Sequence, residues 1–465
     1  MLIAARTICL HSAYLAWVWG SIAKTVTPRS VALYSSRGSE AISTIVLMRV
    51  AVLVSEAVLL AVVLALCCAL KAQSSHNTAV LRGQDHVRQQ PRRFWAAVSV
   101  AGARAASSMH VACALIDHGH TQHNSIALLC ALIWAILACH SFQPGVGPYD
   151  LLAAGVFVVS LNFKQIALYY ALPVFAVHLL RCSAETSWMQ KLRRFLSTGL
   201  VVLVSQVALV LPLCTGSRSC SAEALQVLTR VFPTSRGIFE DKVANMWCIL
   251  EPLFKVQQHL QAGSVHPSAI LGASTLCTLV LCAPGLWLVF TRLNNFTKTL
   301  RPSAAMLACA ISGLGFFLCS VQVHEKSILF PLFAGEAAEW TAGRYAGPKL
   351  QSAIAWFRLH AIVSLVPLLV RDGVSLGTCA IIALVLLGQG SLRKAAATRC
   401  CFHVLLHTCL LVGQVFSVFG HLGGASPTHL PHLYLLGLSA ASFTAFLAIW
   451  LQLVLVLSSS TTEQL

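Results

Sequence analysis

The sequence predicts an all-α polytopic membrane protein with roughly 11–14 membrane segments. Apolar stretches of about 17–25 residues, long enough to cross a bilayer as helices, recur along nearly the whole chain of 465 residues. Hydrophobic residues make up 57% of the chain and charged residues only 10%, whereas soluble domains hold about 25% charged residues. The apolar stretches are continuous rather than alternating, which favours helices. We therefore expect residues 1–465 to form one multi-pass membrane domain.

The predicted membrane segments follow one another along the chain. They lie near residues 1–20, 46–70, 94–115, 125–141, 149–161, 166–180, 196–213, 265–290, 303–320, 327–335, 353–370, 375–390, 401–422 and 432–457. The segments near 1–20, 149–161 and 327–335 are short or weakly apolar, so half-helices or interfacial helices also fit them. Trp17, Trp19 and the lack of a small-residue cleavage site argue against a signal peptide at the N-terminus.

The charge excess, 32 Lys and Arg against 15 Asp and Glu, fits either nucleic-acid binding or orientation in a membrane. The basic residues cluster in short stretches between apolar segments, which indicates the positive-inside rule and no nucleic-acid partner. Alternating crossings place the basic clusters of 71–93, 181–194, 292–301 and 393–399 on one face, which we assign to the cytosol. The stretch 71–93 is then a cytosolic loop.

The polar stretches between the other segment ends fall on the opposite, luminal face. The longest is a predicted luminal loop over residues 215–267, in which Cys220 and Cys248 can pair under oxidising conditions. Most other cysteines lie inside apolar segments, where cysteine behaves as a small hydrophobic residue. We therefore expect neither a zinc site nor a disulfide framework, and no metal or other cofactor.

The first polar string on this face reads IDHGHTQHN and ends at Asn124. Asp117, His118 and His120 are metal-ligand types, but two histidines separated by one residue point apart on a helix. Asp117 or Asn124 can instead cap a helix that begins at Ser125. Contact with a sugar or a phosphate is the third interpretation.

The second and third strings are LNFKQIALYY, at residues 161–170, and FPTSRGIFEDKVANMWC, at residues 232–248. Lys164 lies between two apolar stretches, so it is either a snorkelling lysine or a cation that meets an anionic head group.

In the third string, residues 240–247 resemble a short amphipathic helix with Val243 and Trp247 on one face. Such a helix is either a solvated surface helix or an interfacial helix that roofs a cavity.

The fourth string, QVHEKSILFP, places His324, Glu325 and Lys326 side by side next to apolar segments. An interhelical salt bridge is one interpretation. The other is a phosphate site in which the histidine and the lysine neutralise the anion and the glutamate orients one of them. The four strings together indicate a membrane-embedded site, open to the luminal face, for a polar and anionic ligand. A transporter and a transferase acting on lipid-linked substrates both fit that site.

These four strings, together with ALYSSRGSE at residues 32–40, closely resemble the endoplasmic-reticulum glucosyltransferases that use dolichyl-phosphate glucose, glycosyltransferase family 57. The resemblance covers about residues 10–335 and is closer to the first-acting than to the second-acting member. It implies a C-type glycosyltransferase fold and an active site at the luminal face of the membrane. It also implies transfer of glucose from dolichyl-phosphate glucose to the dolichol-linked oligosaccharide Man9GlcNAc2-PP-dolichol, in an inverting α-1,3 reaction of N-glycan precursor assembly. The alternatives are the second-acting member and a catalytically inactive relative that binds or transports polyprenyl lipids.

The resemblance also assigns expected roles to residues of the strings. His324, Lys326 and Lys164 are expected to bind the donor phosphate, and a second group is expected to contact substrate or order the site. That second group consists of Asp117, His118, His120, Asn124, Gln165, Arg236, Glu240, Asp241, Lys242 and Glu325. In the family the general base lies in a first luminal loop, which precedes the equivalent of His11. No Asp or Glu precedes Glu40 here, so we expect this chain to begin inside the corresponding region, without that helix, loop and base.

Overall fold

The described residues of the chain fold into helices, with no strand among them. The structure is a computed structural model that describes residues 10–26, 28, 42–82, 124–140, 145–214, 219–231, 243–297, 300–374, 377, 379, 382 and 401–460. Its α-helices are α1 (Leu10–Val26), α2 (Ile42–Arg82), α3 (Asn124–His140), α4 (Pro148–Phe163), α5 (Ala171–Ser183), α6 (Trp188–Cys214), α7 (Cys220–Val231), α8 (Met246–Phe254), α9 (Val256–Gln261), α10 (Pro267–Arg292), α11 (Arg301–Cys319), α12 (Leu329–Ala342), α13 (Pro348–Arg371), α14 (Cys401–Leu422) and α15 (Leu433–Ser459). Short 3₁₀ turns occupy Gln165–Tyr170, Leu293–Asn295, Glu325–Ile328 and Gly343–Tyr345.

Eight of the described helical segments are long and apolar enough to cross a membrane. They are Ile42–Leu66, Gln165–Ser183, Trp188–Pro212, Pro267–Asn295, Arg301–Cys319, Pro348–Arg371, Phe402–Leu422 and Leu433–Ser459. Helices α3 and α4 are apolar but shorter. The prediction of an all-α polytopic membrane protein is therefore confirmed.

Several predicted boundaries differ from the observed ones. Helix α2 continues to Arg82 and so covers the first part of the stretch 71–93. The weak segment near 327–335 corresponds to the longer helix α12. The predicted segment near 94–115 lies outside the described residues, as does most of the one near 375–390.

Met1–Leu168 and Arg181–Ser235 form one compact unit, unit 1. Within it α3 packs against α4 and α2, and α4 packs against α6 and α1. The hydroxyl of Ser160 donates to the carbonyl oxygen of Ala127 over 2.7 Å and ties α4 to α3. The amide of Asn162 donates to Gln206 over 2.8 Å and ties α4 to α6. Polar side chains inside apolar helices thus find hydrogen-bond partners on neighbouring helices, as the low-polarity environment requires.

A buried network of ion pairs stabilises one end of unit 1. Asp150 forms an ion pair with Arg181 at 2.6 Å and accepts a hydrogen bond from Arg194 at 2.7 Å, and all three side chains are only 3% exposed. Arg194 also pairs with Glu185 and donates to the carbonyl oxygen of Gly145 at 2.9 Å. The sequence pattern assigns Arg181 and Arg194 to a basic cluster that orients the chain in the membrane. In the structure both side chains instead form buried ion pairs that stabilise the fold. Burial of the charges is tolerated because each arginine has a carboxylate partner.

The disulfide of unit 1 differs from the predicted one. Cys220 is bonded to Cys214, so the predicted pairing of Cys220 with Cys248 is wrong. Helix α6 ends at Cys214 and α7 begins at Cys220, so the two cysteines lie at neighbouring helix ends. Within the stretch 215–267, the described residues form helices α7, α8 and α9.

Tyr169–Leu180 and Arg236–Leu465 form the second compact unit, unit 2, which contains α8 to α15. Helix α11 is its core: it packs against α10, α12 and α15, and nearly all of its residues are buried. A helix that is apolar all round is expected at such a position. Gly313 lets α11 approach α12 closely, because a Cβ atom there would lie 3.1 Å from Cβ of Pro331. Helices α13, α14 and α15 pack against one another beside this core.

Candidate functional site

One end of unit 2 collects the polar segments that the sequence singles out; we call the set of residues 243–247 and 320–328 the polar end. Helix α11 finishes at Cys319, and Gln322 turns the chain with a left-handed backbone, at φ 58°. Such a conformation is uncommon outside glycine and marks a tight, specified turn. His324 follows in extended conformation and leads into the 3₁₀ turn Glu325–Ile328, which starts α12.

Asn245 fixes the segment VANMWC against this turn. Its side-chain amide donates to the carbonyl oxygens of Phe317, at 2.8 Å, and Ser320, at 2.9 Å. Its side-chain oxygen accepts from the backbone N–H of Trp247 at 2.8 Å and caps α8. The amphipathic helix predicted over 240–247 is therefore wrong for residues 243–245, which precede the helix. The physical reason is the cap, because asparagine favours the non-helical position before a helix.

Trp247 and Ser274 hold the end of α11 from a second side. The indole N–H of Trp247 donates to the carbonyl oxygen of Cys319 at 2.7 Å, and the hydroxyl of Ser274 donates to the same oxygen at 2.8 Å. Carbonyls at the end of a helix have no partner inside the helix, so these two bonds satisfy a group that is otherwise buried without one.

Tyr169, from the string LNFKQIALYY, contacts the polar end of unit 2. Tyr169 stacks on Phe316, with ring centroids 5.1 Å apart, and its side chain hydrogen-bonds with Ser320 and Ser327. The hydroxyl of Ser312 donates to the backbone oxygen of Tyr169 at 2.8 Å. Parts of three predicted strings therefore meet in one place: Tyr169, VANMWC and QVHEKSIL.

A small polar cavity lies beside the polar end. It has a volume of about 20 Å³ and is lined by Ala244, Phe317, Glu325, Ser364, Leu438, Ser439 and Ser442. A cavity of about 10–15 Å³ or more has room for one water molecule, provided that polar partners surround it. The half-buried carboxylate of Glu325 and three serine hydroxyls supply such partners. The cavity can therefore hold one small oxygen-bearing group.

The other two charges of QVHEKSIL differ in exposure. The side chain of His324 is exposed, whereas Lys326 is half-buried. Both are basic residues, and both are immediate sequence neighbours of Glu325, which lines the cavity. A histidine and a lysine in this arrangement suit an anion with several oxygens, such as a phosphate.

The remaining described site residues lie in unit 1. Lys164 is half-buried and ends α4, with its N–H bonded to the carbonyl oxygen of Ser160 at 3.2 Å. Gln165 begins the 3₁₀ turn that follows. Asn124 is buried and is the first residue of α3, one position before the predicted helix start at Ser125. The other predicted site residues lie outside the described residues: Asp117, His118, His120, Arg236, Glu240, Asp241 and Lys242.

Sequence reasoning missed the serines of the cavity. Ser439 and Ser442 are three residues apart inside the apolar run of α15, so they share one helix face, and this spacing is a signal that can be found. Ser364 lies in α13 with no such partner in its own segment. Only tertiary packing brings it to Glu325.

The chain is similar to known proteins over most of its length. A match to the ALG6, ALG8 glycosyltransferase family spans residues 11–452. The chain is 32% identical over 376 residues to the dolichyl pyrophosphate Man9GlcNAc2 alpha-1,3-glucosyltransferase of Gallus gallus, covering 78% of this chain and 62% of that protein. It is 27% identical over 463 residues to a probable enzyme of the same name from Dictyostelium discoideum, covering 94% of this chain and 79% of that protein.

A third relative is the Saccharomyces cerevisiae enzyme of that name, 32% identical over 266 residues, which are 56% of this chain and 43% of that protein. The matched part thus spans about three fifths of the length of the Gallus gallus relative. The family match covers far more than half of the chain and includes all four strings on which the resemblance depends. The chain belongs to the ALG6, ALG8 glycosyltransferase family.

Proposed function

We propose that this protein transfers one glucose from dolichyl-phosphate glucose to Man9GlcNAc2-PP-dolichol, forming an α-1,3 linkage with inversion. The transfer takes place at the luminal face of the endoplasmic-reticulum membrane. The observation that carries the proposal is the polar end of unit 2, where parts of three strings meet next to a cavity that Ala244 and Glu325 line. The names of the relatives support the acceptor and the linkage. The family match runs through both units, which supports one glycosyltransferase domain over residues 1–465.

The chemistry of this transfer explains the charges of the site. A general base takes the proton of the acceptor hydroxyl, the new bond forms at the anomeric carbon, and dolichyl phosphate leaves from the opposite face. Negative charge grows on the phosphate oxygens as the bond breaks, so fixed cations nearby lower the barrier. His324 and Lys326 supply this charge in the proposal, and Lys164 is a third donor-phosphate residue.

The other predicted residues are proposed to contact the sugars or to order the site. Asn124 and Gln165 fall in this group, as do the residues of IDHGH and FEDK that lie outside the described ranges. Glu325 lines the cavity and is therefore placed to orient a polar partner rather than to bind the phosphate. The proposal assigns no metal ion and no organic cofactor to the site.

The proposal is tested in cells that lack the first glucosyltransferase. The chain is expressed as it stands and, in parallel, joined to the parts of the Gallus gallus relative that lie outside the match, because the matched part spans 62% of that protein. Lipid-linked oligosaccharides are then profiled. Conversion of Man9 to Glc1Man9 species supports the proposal. Persistence of Man9 with both forms at normal abundance contradicts it.

The same experiment separates the two alternatives. In cells that lack the second glucosyltransferase, loss of accumulated Glc1Man9 species in favour of Glc2Man9 species assigns the chain to the second step. Binding of dolichyl-phosphate glucose by purified protein, with no transfer in either cell line, assigns it to lipid binding without catalysis.

A further inference from the structure

A chain of buried hydrogen bonds runs through α13, α14 and α15 in unit 2. His360 Nδ1 lies 2.7 Å from Gln414 Oε1, and His360 Nε2 lies 3.1 Å from His407 Nδ1. Gln452 Nε2 lies 2.7 Å from His407 Nε2, and Gln414 Nε2 lies 2.7 Å from the hydroxyl of Ser442. His360, His407, Gln414 and Ser442 are fully buried. Burying polar side chains in apolar helices costs free energy, so a connected set of this size indicates a functional role.

The donor and the acceptor in each of these hydrogen bonds can be derived from the chemistry of the groups. Gln414 Nε2 also faces the backbone carbonyl oxygen of His360 at 3.4 Å, and a carbonyl can only accept. The amide nitrogen of Gln414 must therefore lie on that side, which leaves Gln414 Oε1 as the acceptor for His360 Nδ1–H. A neutral imidazole has one donor and one acceptor nitrogen, so His360 Nε2 accepts from His407 Nδ1–H. His407 Nε2 in turn accepts from Gln452. Both histidines are then neutral and protonated on Nδ1.

The end of the chain is the hydroxyl of Ser442. It accepts from Gln414, so its own proton is left to donate elsewhere. Ser442 lines the polar cavity together with Glu325, Ser364 and Ser439. The buried hydrogen-bonded series thus ends in a donor at a cavity that the carboxylate of Glu325, an acceptor, also lines. Trp356 stacks on His407, with centroids 5.1 Å apart, and holds the imidazole in place.

We propose that the cavity is a subsite for one O–H group, which accepts a hydrogen bond from Ser442 and donates one to Glu325. The volume of about 20 Å³ has room for one oxygen. The O–H group belongs either to a water molecule or to a sugar hydroxyl of the substrate. Ser442 is the binding residue of the subsite, and Gln414, His360, His407 and Gln452 are positioning residues that fix the direction of its proton. This inference rests on the proposed function only for the identity of the sugar.

The first test compares three serine variants in membranes that carry out the transfer. Ser442→Ala removes the donor, and we expect kcat/KM to fall about tenfold or more, the ratio that corresponds to about 1.4 kcal/mol. Ser442→Thr keeps the hydroxyl and should restore most of the rate. Ser417→Ala is the matched control, because Ser417 is also buried, in α14, but donates to its own helix, to the carbonyl oxygen of Gly413 at 2.8 Å. Equal rates for Ser442→Ala and Ser417→Ala at equal abundance overturn the subsite.

The second test tells a water from a sugar hydroxyl with monodeoxy analogues of dolichyl-phosphate glucose. If a glucose hydroxyl fills the cavity, one analogue loses about as much rate with the wild type as Ser442→Ala does, and loses nothing further in that variant. If water or a hydroxyl of the acceptor fills it, each analogue lowers the rate by the same factor in the wild type and in Ser442→Ala. An analogue whose loss adds fully to that of Ser442→Ala contacts another part of the site.

The third test does not depend on transfer, so it separates this inference from the proposed function. ¹⁵N spectra of the full chain in lipid nanodiscs, assigned with His360→Phe and His407→Phe, should show two neutral imidazoles protonated on Nδ1. Protonation of either histidine on Nε2 would mean that the hydrogen bonds run in the opposite direction, and this would overturn the assignment of Ser442 as a donor. If the wild type shows the expected tautomers but transfers no glucose, the proposed function fails and the donor at the cavity remains.

Discussion

The side-chain amide of Asn245 donates a hydrogen bond to the backbone oxygen of Ser320 over 2.9 Å. Asn245 belongs to the string FPTSRGIFEDKVANMWC, and Ser320 lies two residues before the start of QVHEKSIL in unit 2. One asparagine therefore connects two strings that are distant in sequence. Because its oxygen also caps α8, the same side chain sets where the helix begins and where the turn after α11 lies.

Replacement of Asn245 by alanine should destabilise unit 2 strongly. The change removes a helix cap, worth about 0.5–2 kcal/mol, and leaves the carbonyls of Phe317 and Ser320 without their donor, at about 1–3 kcal/mol for a buried group. We expect a loss of about 2–4 kcal/mol, measured by thermal unfolding in detergent. Asn294→Ala is the control, because Asn294 is exposed and such a change usually stays within about 0.5 kcal/mol. Equal melting temperatures for the two variants would contradict the role of Asn245.

Trp247 and Ser274 should show coupled effects because they share one acceptor, the carbonyl oxygen of Cys319. Trp247→Phe or Ser274→Ala alone leaves the other donor in place, so each should cost about 1 kcal/mol of unfolding free energy. The double variant leaves the carbonyl without either donor and should lose about 1 kcal/mol more than the sum. A double-variant cycle of thermal unfolding measures the difference. A purely additive result would mean that the two bonds do not substitute for each other.

Two neighbouring arginines test the ion-pair network of unit 1. Arg194 is buried and bonded to Asp150 and Glu185, whereas Arg193 is exposed. Arg194→Gln leaves two buried carboxylates short of a partner and should cost about 3–5 kcal/mol, while Arg193→Gln should change stability by less than about 0.5 kcal/mol. The measurements are the yield of folded protein and its thermal unfolding. Similar behaviour of the two variants would show that the network contributes little to stability.

The sequence predicts the apolar helices well because their signal is local. A run such as 401–422 is apolar over a full membrane thickness, and the structure has a helix at those residues. The same local signal fails for Arg181 and Arg194, which look like loop charges. Their burial depends on Asp150, a residue from another helix, and composition holds no information on that pairing.

The candidate site was predictable to a similar extent. Charged residues at segment ends, such as Glu325, stand out in an apolar sequence. The serines that share its cavity do not, because single hydroxyls are common in membrane helices, where they bond to their own backbone. His360 in α13 is hydrogen-bonded to His407 and Gln414 in α14. These contacts depend on how the two helices pack, which no local sequence pattern encodes.

His324 is the sharpest test of the donor-phosphate assignment, because its side chain is exposed and its loss should not disturb the fold. If it stabilises the leaving phosphate, His324→Ala should lower transfer by about 10²–10³-fold, as removal of one transition-state donor does elsewhere. The abundance and melting temperature of the protein should stay the same. Transfer is measured by the conversion of lipid-linked oligosaccharide in isolated membranes.

Two further variants make this result specific. His324→Lys keeps a positive charge, so it should retain more activity than His324→Gln if charge is what the phosphate needs, and less if a neutral hydrogen bond is enough. His429→Ala is the matched control, because His429 is also exposed, in the connection between α14 and α15. Unchanged transfer in His324→Ala, or an equal loss in His429→Ala, would remove His324 from the site and leave Lys326 as the described cation of unit 2 assigned to the phosphate.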